Sequence, residues 1–365
     1  MAFFTGPIAA TTIPTLLESL QGFLTTAGAG NPGWTNEAAG GATEAGVDTT
    51  NGEWAVSKDG TGTHYVQIAG QWDPASPEYL GLYHYYDTGG AGSYVDGNSP
   101  WGQTNDSGNG YSGGTITNNN LDNERYVLLT ADPIRYWCFT DDQTGEPYAH
   151  IVVETGTGVY VHFGFGVLDK FNDWTGGEYC YGHRVGAGQH MSSSDTSLMF
   201  DARLNGTGDQ DFACTMRIEG MTDTPASGRW GVAVADGQGT TQLGTDSAAV
   251  DRIHLVGGVR GGMHNFAFGT LPGTISTGYV TSAPVVVYHI DRNVSGSSAT
   301  YVNSFAPLGA MKDVRTLNIE NFEPGDVVTI GSDDWYIFPW SRKSPDATTS
   351  NGYSGYAGVM YKANT

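Results

Sequence analysis

Residues 160–181 read YVHFGFGVLDKFNDWTGGEYCY, and positions 160–167 alternate strictly. Tyr160, His162, Gly164 and Gly166 fall on one face; Val161, Phe163, Phe165 and Val167 fall on the other. A period of two is strand geometry, and the second face is apolar enough to be buried. The two glycines leave the first face bare, so some other group must approach it closely. A short charged turn follows over 168–173, then Trp174, a Gly176-Gly177 turn and the run Tyr179, Cys180, Tyr181. The stretch reads as the middle hairpin of an antiparallel sheet. It carries no catalytic constellation.

Similar short segments recur on both sides. Strands are expected at 63–68, 79–86, 126–130, 134–139 and 150–154, then at 212–218, 230–234, 252–256 and 285–290. A C-terminal hairpin is expected at 326–330 and 335–340 around Gly331 and Ser332, with Pro339 at an edge and 356–361 as a closing strand. Composition agrees. The chain has 365 residues, 54 of them Gly; charged residues make up 15% and aromatic residues 12%. That aromatic share excludes disorder, and the glycine content favours many short strands joined by turns. The expected fold class is all-β: an antiparallel β-sandwich or meander with one N-terminal amphipathic helix and long Gly-rich loops.

The helix is expected over 12–27, where Ile13, Leu16, Leu17, Leu20, Phe23 and Leu24 recur at the helical period. Thr12 can cap it, Pro14 suits its first turn, Thr15 and Glu18 have capping-box spacing, and Gly28 is placed to stop it. So short a helix needs a surface to pack on, either the sheet or a neighbouring subunit. Trp34 and Trp54 are expected anchors in a Gly/Ala/Thr-rich stretch. The chain divides into an N-terminal helical segment (1–28), a loop-rich β region (29–125) and a main β-domain (126–365). Residues 198–296 are a candidate for a second β-domain inserted into the last. Residues 87–124, almost wholly small and polar around Trp101 and Tyr111, form a loop long enough to imply ordering against a partner.

The formal charge of −22 repels phosphate, so direct nucleic-acid binding is not expected. Three cysteines are too few and too scattered for a disulfide framework or zinc site, and the odd count leaves a free thiol. No apolar run is long enough to span a membrane, and the start lacks the features of a signal peptide. Neither membrane association nor export by that route is expected.

Catalytic candidates are weak. Asp141/Asp142, Asp333/Asp334 and Asp209/Asp211 are close in sequence, but neighbouring strand or turn residues point apart, so turn capping is the favoured reading. Among the histidines there is no HExxH and no HxH; His183 and His190 share a Gly-rich loop. The glycine-rich 256–262 lacks the helix and acidic residue of a dinucleotide site. The acidic turns 96–110 and 205–211 offer oxygens to Ca²⁺ without matching an EF-hand, and loop solvation is favoured. No catalytic residue, cofactor or metal is expected. Tyr94, Trp101 and Tyr111 suit a protein interface, as do Leu16, Leu20 and Phe23 of the helix.

Three blocks carry a resemblance: MAFFTG (1–6) with TLLESLQGFLTT (15–26) and GWT (33–35); HFGFGVLDK (162–170) with TGGEYCYG (175–182); and IGSDDWYIFPWSRKS (330–344) with NGYSGYAGVMYK (351–362). In this order they resemble a family of virion structural proteins of tailed bacteriophages, tail or baseplate components. The resemblance implies a non-enzymatic building block in a tail tip, baseplate or collar, assembled in the host cytoplasm. It would form a symmetric homo-oligomer through contacts with other copies and neighbouring tail proteins. The rival expectation is a carbohydrate-binding receptor-recognition module, or a secreted glycan-active protein, with a host-surface glycan as partner.

Overall fold

The alternation at 160–167 does form a strand, and it lies fourth of seven in an antiparallel sheet. The computed structural model describes residues 2–28, 30–36, 46–50, 52–59, 65–71, 79–85, 127–128, 135–141, 146–174, 176–182, 203–204, 210–211, 214–218, 230–232, 251–256, 280–293, 301–339, 343 and 357–363. In chain order the elements are β1 (Ala2–Ala9), α1 (Ile13–Leu24), β2 (Thr35–Asn36), β3 (Val47–Asp48), β4 (Glu53–Asp59), β5 (Tyr65–Gln71), β6 (Tyr79–Tyr85) and β7 (Val127–Leu128). Next come β8 (Arg135–Asp141), β9 (Tyr148–Gly156), β10 (Val159–Val167), β11 (Asp169–Lys170), β12 (Gly176–Gly182), β13 (Arg203–Leu204), β14 (Gln210–Asp211) and β15 (Cys214–Ile218). The remainder are β16 (Trp230–Val232), β17 (Asp251–Val256), β18 (Ser282–Asn293), β19 (Tyr301–Asn318), β20 (Val327–Ile330), β21 (Asp333–Pro339) and β22 (Ala357–Ala363). The fold is all-β and antiparallel, with one helix among the described residues.

The central sheet runs β1-β8-β9-β10-β12-β15-β16, and a second runs β17-β18-β19-β22-β21-β20. A third runs β2-β4-β5-β6-β7, with β3 beside β4. Residues 198–296 supply β15 and β16 to the central sheet and β17 and β18 to the second; among the described residues β13 and β14 pair only with each other. The N-terminal segment likewise opens with β1, which pairs with β8 before the helix begins. Its early residues belong to the main sheet.

Both faces of the central sheet are covered, where a two-layer sandwich would leave one open. On one face Cys138, Ile151, Val153, Phe163 and Phe165 pack with the leucines of α1 and with Trp34, Trp54 and Val56. Trp34 meets Phe165 edge-on at 5.3 Å between ring centroids. On the other face Trp137, Phe139, Tyr179 and Tyr181 meet Val314, Phe338, Val359 and Tyr361 of the second sheet. Phe139 stacks on Tyr361 at 5.0 Å. The central sheet is thus the middle of three layers, which is why β9 and β10 are buried along nearly their whole length.

Helix α1 packs inside its own chain. Leu16 and Leu20, expected as contacts to a neighbouring subunit, are fully buried in this core, because the helix's apolar stripe is what covers the central sheet. Phe23 is half-buried against the same cluster. The capping box is formed by Thr12 and Thr15 rather than by Thr15 and Glu18: the Thr15 hydroxyl takes the reciprocal role usually given to a carboxylate. The helix ends at Leu24, one turn short of Gly28, with Thr25 as its C-cap.

Candidate functional site: a hydrogen-bonded seam between two sheets

The face of β10 that carries the glycines meets the second sheet. In register, Gly164 lies between His150 of β9 and Tyr181 of β12, and Gly166 between Tyr148 and Tyr179. A Cβ on Gly164 would come within 2.6 Å of the Tyr181 ring and 2.7 Å of the Ala149 carbonyl oxygen. Its absence lets the Tyr181 ring lean across the strand until its hydroxyl lies 2.8 Å from His150 Nδ1. The close approach that the glycine face requires is made at Gly164 by this tyrosine and at Gly166 by the Pro147 carbonyl and Tyr148.

Two irregularities in the second sheet complete the arrangement. The pairing of β18 with β19 jumps from Pro284↔Arg315 to Val286↔Ala310, leaving a bulge at 311–314. Asp313 within it adopts φ 55°, the left-handed region that Asp enters more readily than most residues. A bulge releases main-chain groups from the ladder and re-aims them. Here the Lys312 carbonyl accepts from His150 Nε2 at 2.8 Å, and the Asp313 carboxylate accepts from the Tyr148 hydroxyl at 2.7 Å. The other irregularity is a strand end. The pairing of β20 stops at Val327↔Tyr336, so Pro339 lies beyond it, at an edge as its residue type requires. The Pro339 carbonyl accepts from His162 Nε2 at 2.9 Å. Tyr361 of β22 reaches His162 Nδ1 at 2.9 Å.

A carbonyl oxygen only accepts, so each imidazole carries its proton on Nε2 and presents a bare Nδ1 to a tyrosine. Both histidines are fully buried. Burial holds His150 down to about 4 and His162 down to about 3, with the Nε2 bonds to Lys312 and Pro339 opposing the shift. Both are neutral at pH 7. Burial pushes the Tyr148 and Tyr361 hydroxyls well up, so they too remain protonated.

A chain of charges runs beside this seam. Asp141, 3% exposed in β8, takes Lys312 Nζ on Oδ2 at 2.9 Å, while Lys58 of β4 donates to the Asp141 carbonyl at 3.2 Å. One aspartate therefore joins all three layers. Burial raises its carboxyl, with Lys312 and Lys58 opposing. The turn-capping reading of Asp141 is corrected accordingly: it is an interior ion-pair partner in a strand. Asp333 pairs with Lys362 at 3.0 Å, and Asp334 accepts from the Thr329 hydroxyl at 2.7 Å.

Among the expected sites, Tyr94, Trp101, Tyr111, His183, His190 and the turn 96–110 lie outside the described residues. Among the described residues no group of three His, Cys, Asp or Glu side chains could hold a metal ion. Cys138 is a free, buried thiol whose pKa burial raises strongly. The seam residues His150, His162, Tyr181, Tyr361 and Asp141 escaped the sequence reading as a group. The available signal was a histidine in each of two successive strands, alternating with bulky apolar residues, one of them on the glycine face. No protein-family model matches this chain, and no curated protein matches it.

Proposed function

We propose that the chain is a non-enzymatic structural component of a tailed-phage virion, in the tail tip, baseplate or collar. It assembles in the host cytoplasm into a symmetric oligomer through contacts with other copies of itself and with neighbouring tail proteins. The resemblance of its opening, central and closing blocks to that family suggests the setting. One structural observation carries the building-block part of the reading. Buried polar side chains that could otherwise serve chemistry are engaged in bonds that hold layers together. Lys58, Asp141, His150 and His162 link the three sheets, and within the central sheet Glu154 accepts from Arg135 and from the Gly158 N–H. Buried hydrogen-bonded networks of this kind rigidify a packing, although Asp141 Oδ1 itself accepts no hydrogen bond among the described residues.

Assembly contacts then fall on surfaces other than α1. Among the described residues, the exposed large apolar side chains are Phe171, Val327 and Ile330, two of them on β20 at the end of the second sheet. An open strand edge is a ready template for another chain. The test is electron microscopy of the purified full chain together with deletion of 90–118. Rings, or density attached to particles, support the reading. A monomer at high concentration, with intact particles recovered after the deletion, overturns it. Deleting 1–27 would not discriminate, because it removes β1 and α1 from the fold itself.

A further inference from the structure

We propose that the outer edge of β20 is a docking site for an extended segment of a neighbouring protein, one that carries Lys or Arg on both sides of a short β-branched run. This deepens the assembly reading and rests on it only for where that segment comes from. The sequence of β20 is Val327, Val328, Thr329, Ile330: four β-branched residues in succession, the type that favours a paired strand. Val327 is 46% and Ile330 39% exposed, and β20 ends its sheet with β21 on one side. Natural edges are blunted by proline, bulges or inward charge. β1, an edge of the central sheet, has Pro7 and a register shift between Thr5 and Ile8. β20 pairs with β21 without a shift and contains neither proline nor charge.

The ladder fixes which backbone groups are on offer. The Ile337 N–H donates to the Asp326 carbonyl, and the Ile337 carbonyl accepts from the Gly325 N–H. Antiparallel pairs alternate, so two residues further on Trp335 exchanges bonds with Val328, and beyond it Asp333 with Ile330. Val327 and Thr329 therefore turn their N–H and C=O groups away from β21, to the side where no strand lies among the described residues. They offer two donors and two acceptors, and an added strand takes all four.

Charge selects the occupant. Residues 316–341 contain Glu320, Glu323, Asp326, Asp333 and Asp334 and no Lys or Arg. Lys343 lies 3.4 Å from Glu323, and Lys362 lies 3.0 Å from Asp333. Asp326 and Asp334, which flank β20, have no ion-pair partner among the described residues. Asp326 is exposed at the start of the strand, and Asp334 stands across from Thr329. A second copy of the chain fits poorly. Antiparallel pairing about Val328 sets Glu323 and Asp326 of one copy toward the acids at the turn of the other, on chains that each carry −22. A segment with cations at both ends meets these carboxylates, and its alternating side chains flank Val327 on one face and Ile330 on the other.

The test uses the full chain with two end-capped peptides, KKTVTVKK and EETVTVEE, and reads backbone amide exchange. Titrated in excess, KKTVTVKK should slow exchange at Val327 and Thr329 several-fold, and EETVTVEE should not. Thr329→Pro removes one outward N–H and spares the bonds to β21, so it should abolish the protection. Four results would overturn the proposal: no protection by KKTVTVKK, equal protection by both peptides, protection that survives Thr329→Pro, or protection without peptide that grows with protein concentration, which makes the occupant a second copy. Should Thr329→Pro fail to fold, the contrast between the two peptides on the wild-type chain decides. Rings formed by a chain whose amides neither peptide protects would sink the docking edge and leave the assembly reading standing. A monomer that KKTVTVKK protects would do the reverse.

Discussion

Gly164 owes its role to what it lacks. The Tyr181 ring and the Ala149 carbonyl occupy the space a Cβ would need, at 2.6 and 2.7 Å, and the carbonyl belongs to the adjacent strand's ladder. Gly164→Ala is therefore expected to lose about 1–3 kcal/mol by overpacking and to part Tyr181 from His150. Gly158→Ala is the control. Its φ of +72° strains a side chain by about 1–2 kcal/mol, yet nothing stands within 4 Å of the added carbon. Urea midpoints would compare them, and Gly164→Ala proving the milder change would refute this account of the glycine face. The histidines make a second prediction at this scale. Folded values of about 4 and about 3 lie below the unfolded 6.5, so the unfolded chain binds more protons as the pH falls. Stability contributed by the two rings is complete above about pH 6.5 and declines toward pH 4, by up to about 1.4 kcal/mol per pH unit for each ring. Asp141, with its carboxyl raised above the ordinary 3.8, works in the opposite direction above pH 3.8 and so offsets part of the imidazole effect at the acid end. Melting temperatures that stay flat between pH 6.5 and pH 4.5 would contradict the buried neutral pair.

Element by element, regular segments were legible in the sequence and irregular ones were not. The hairpins β10/β12 and β20/β21 declare themselves through alternation and Gly-containing turns, and α1 through its leucine stripe. The long β19 does not. Its Pro307, Gly309 and charged 312–313 break every simple period, because the strand changes partners along its length and bulges in the middle. That irregularity is what aims the Lys312 carbonyl and Asp313 at the central sheet, so the seam was hidden where the pattern failed. The bulge is also testable. Asp313→Asn keeps an acceptor for Tyr148 and tolerates the left-handed backbone, so a loss below about 1 kcal/mol is expected. Asp313→Val removes the acceptor and strains the backbone, and thermal melts should show it at least about 2 kcal/mol worse than Asn. Equal effects of the two changes would mean that the bulge conformation and its hydrogen bond matter little.

On the scale of the whole molecule, the alternation of β10 predicted one buried face and a close approach to the other, yet two layers' worth of contacts remained invisible. What covers each face comes from far along the chain: α1 and Trp54 on one side, Phe338, Val359 and Tyr361 on the other. Periodicity reports that a face is buried and is silent on its partner. The three-layer arrangement has a consequence for how the protein opens. Amides of β9 and β10 are enclosed by both neighbouring strands and both neighbouring layers, so releasing them requires separating the central sheet from everything it touches. β20 is a four-residue edge strand with Val327 and Ile330 exposed, and among the described residues it pairs with β21 alone. Native-state hydrogen exchange should therefore find β9 and β10 exchanging at the free energy of global unfolding, with β20 several kcal/mol below it. Tyr361→Phe should lower protection on the Tyr181 side of the central sheet while leaving the contacts of α1 with Val153 and Phe163 nearly as protected as before. If β9 and β10 instead exchanged together with β20, the central sheet could not be the last layer to open, and the seam would be one contact among many rather than the lock between layers.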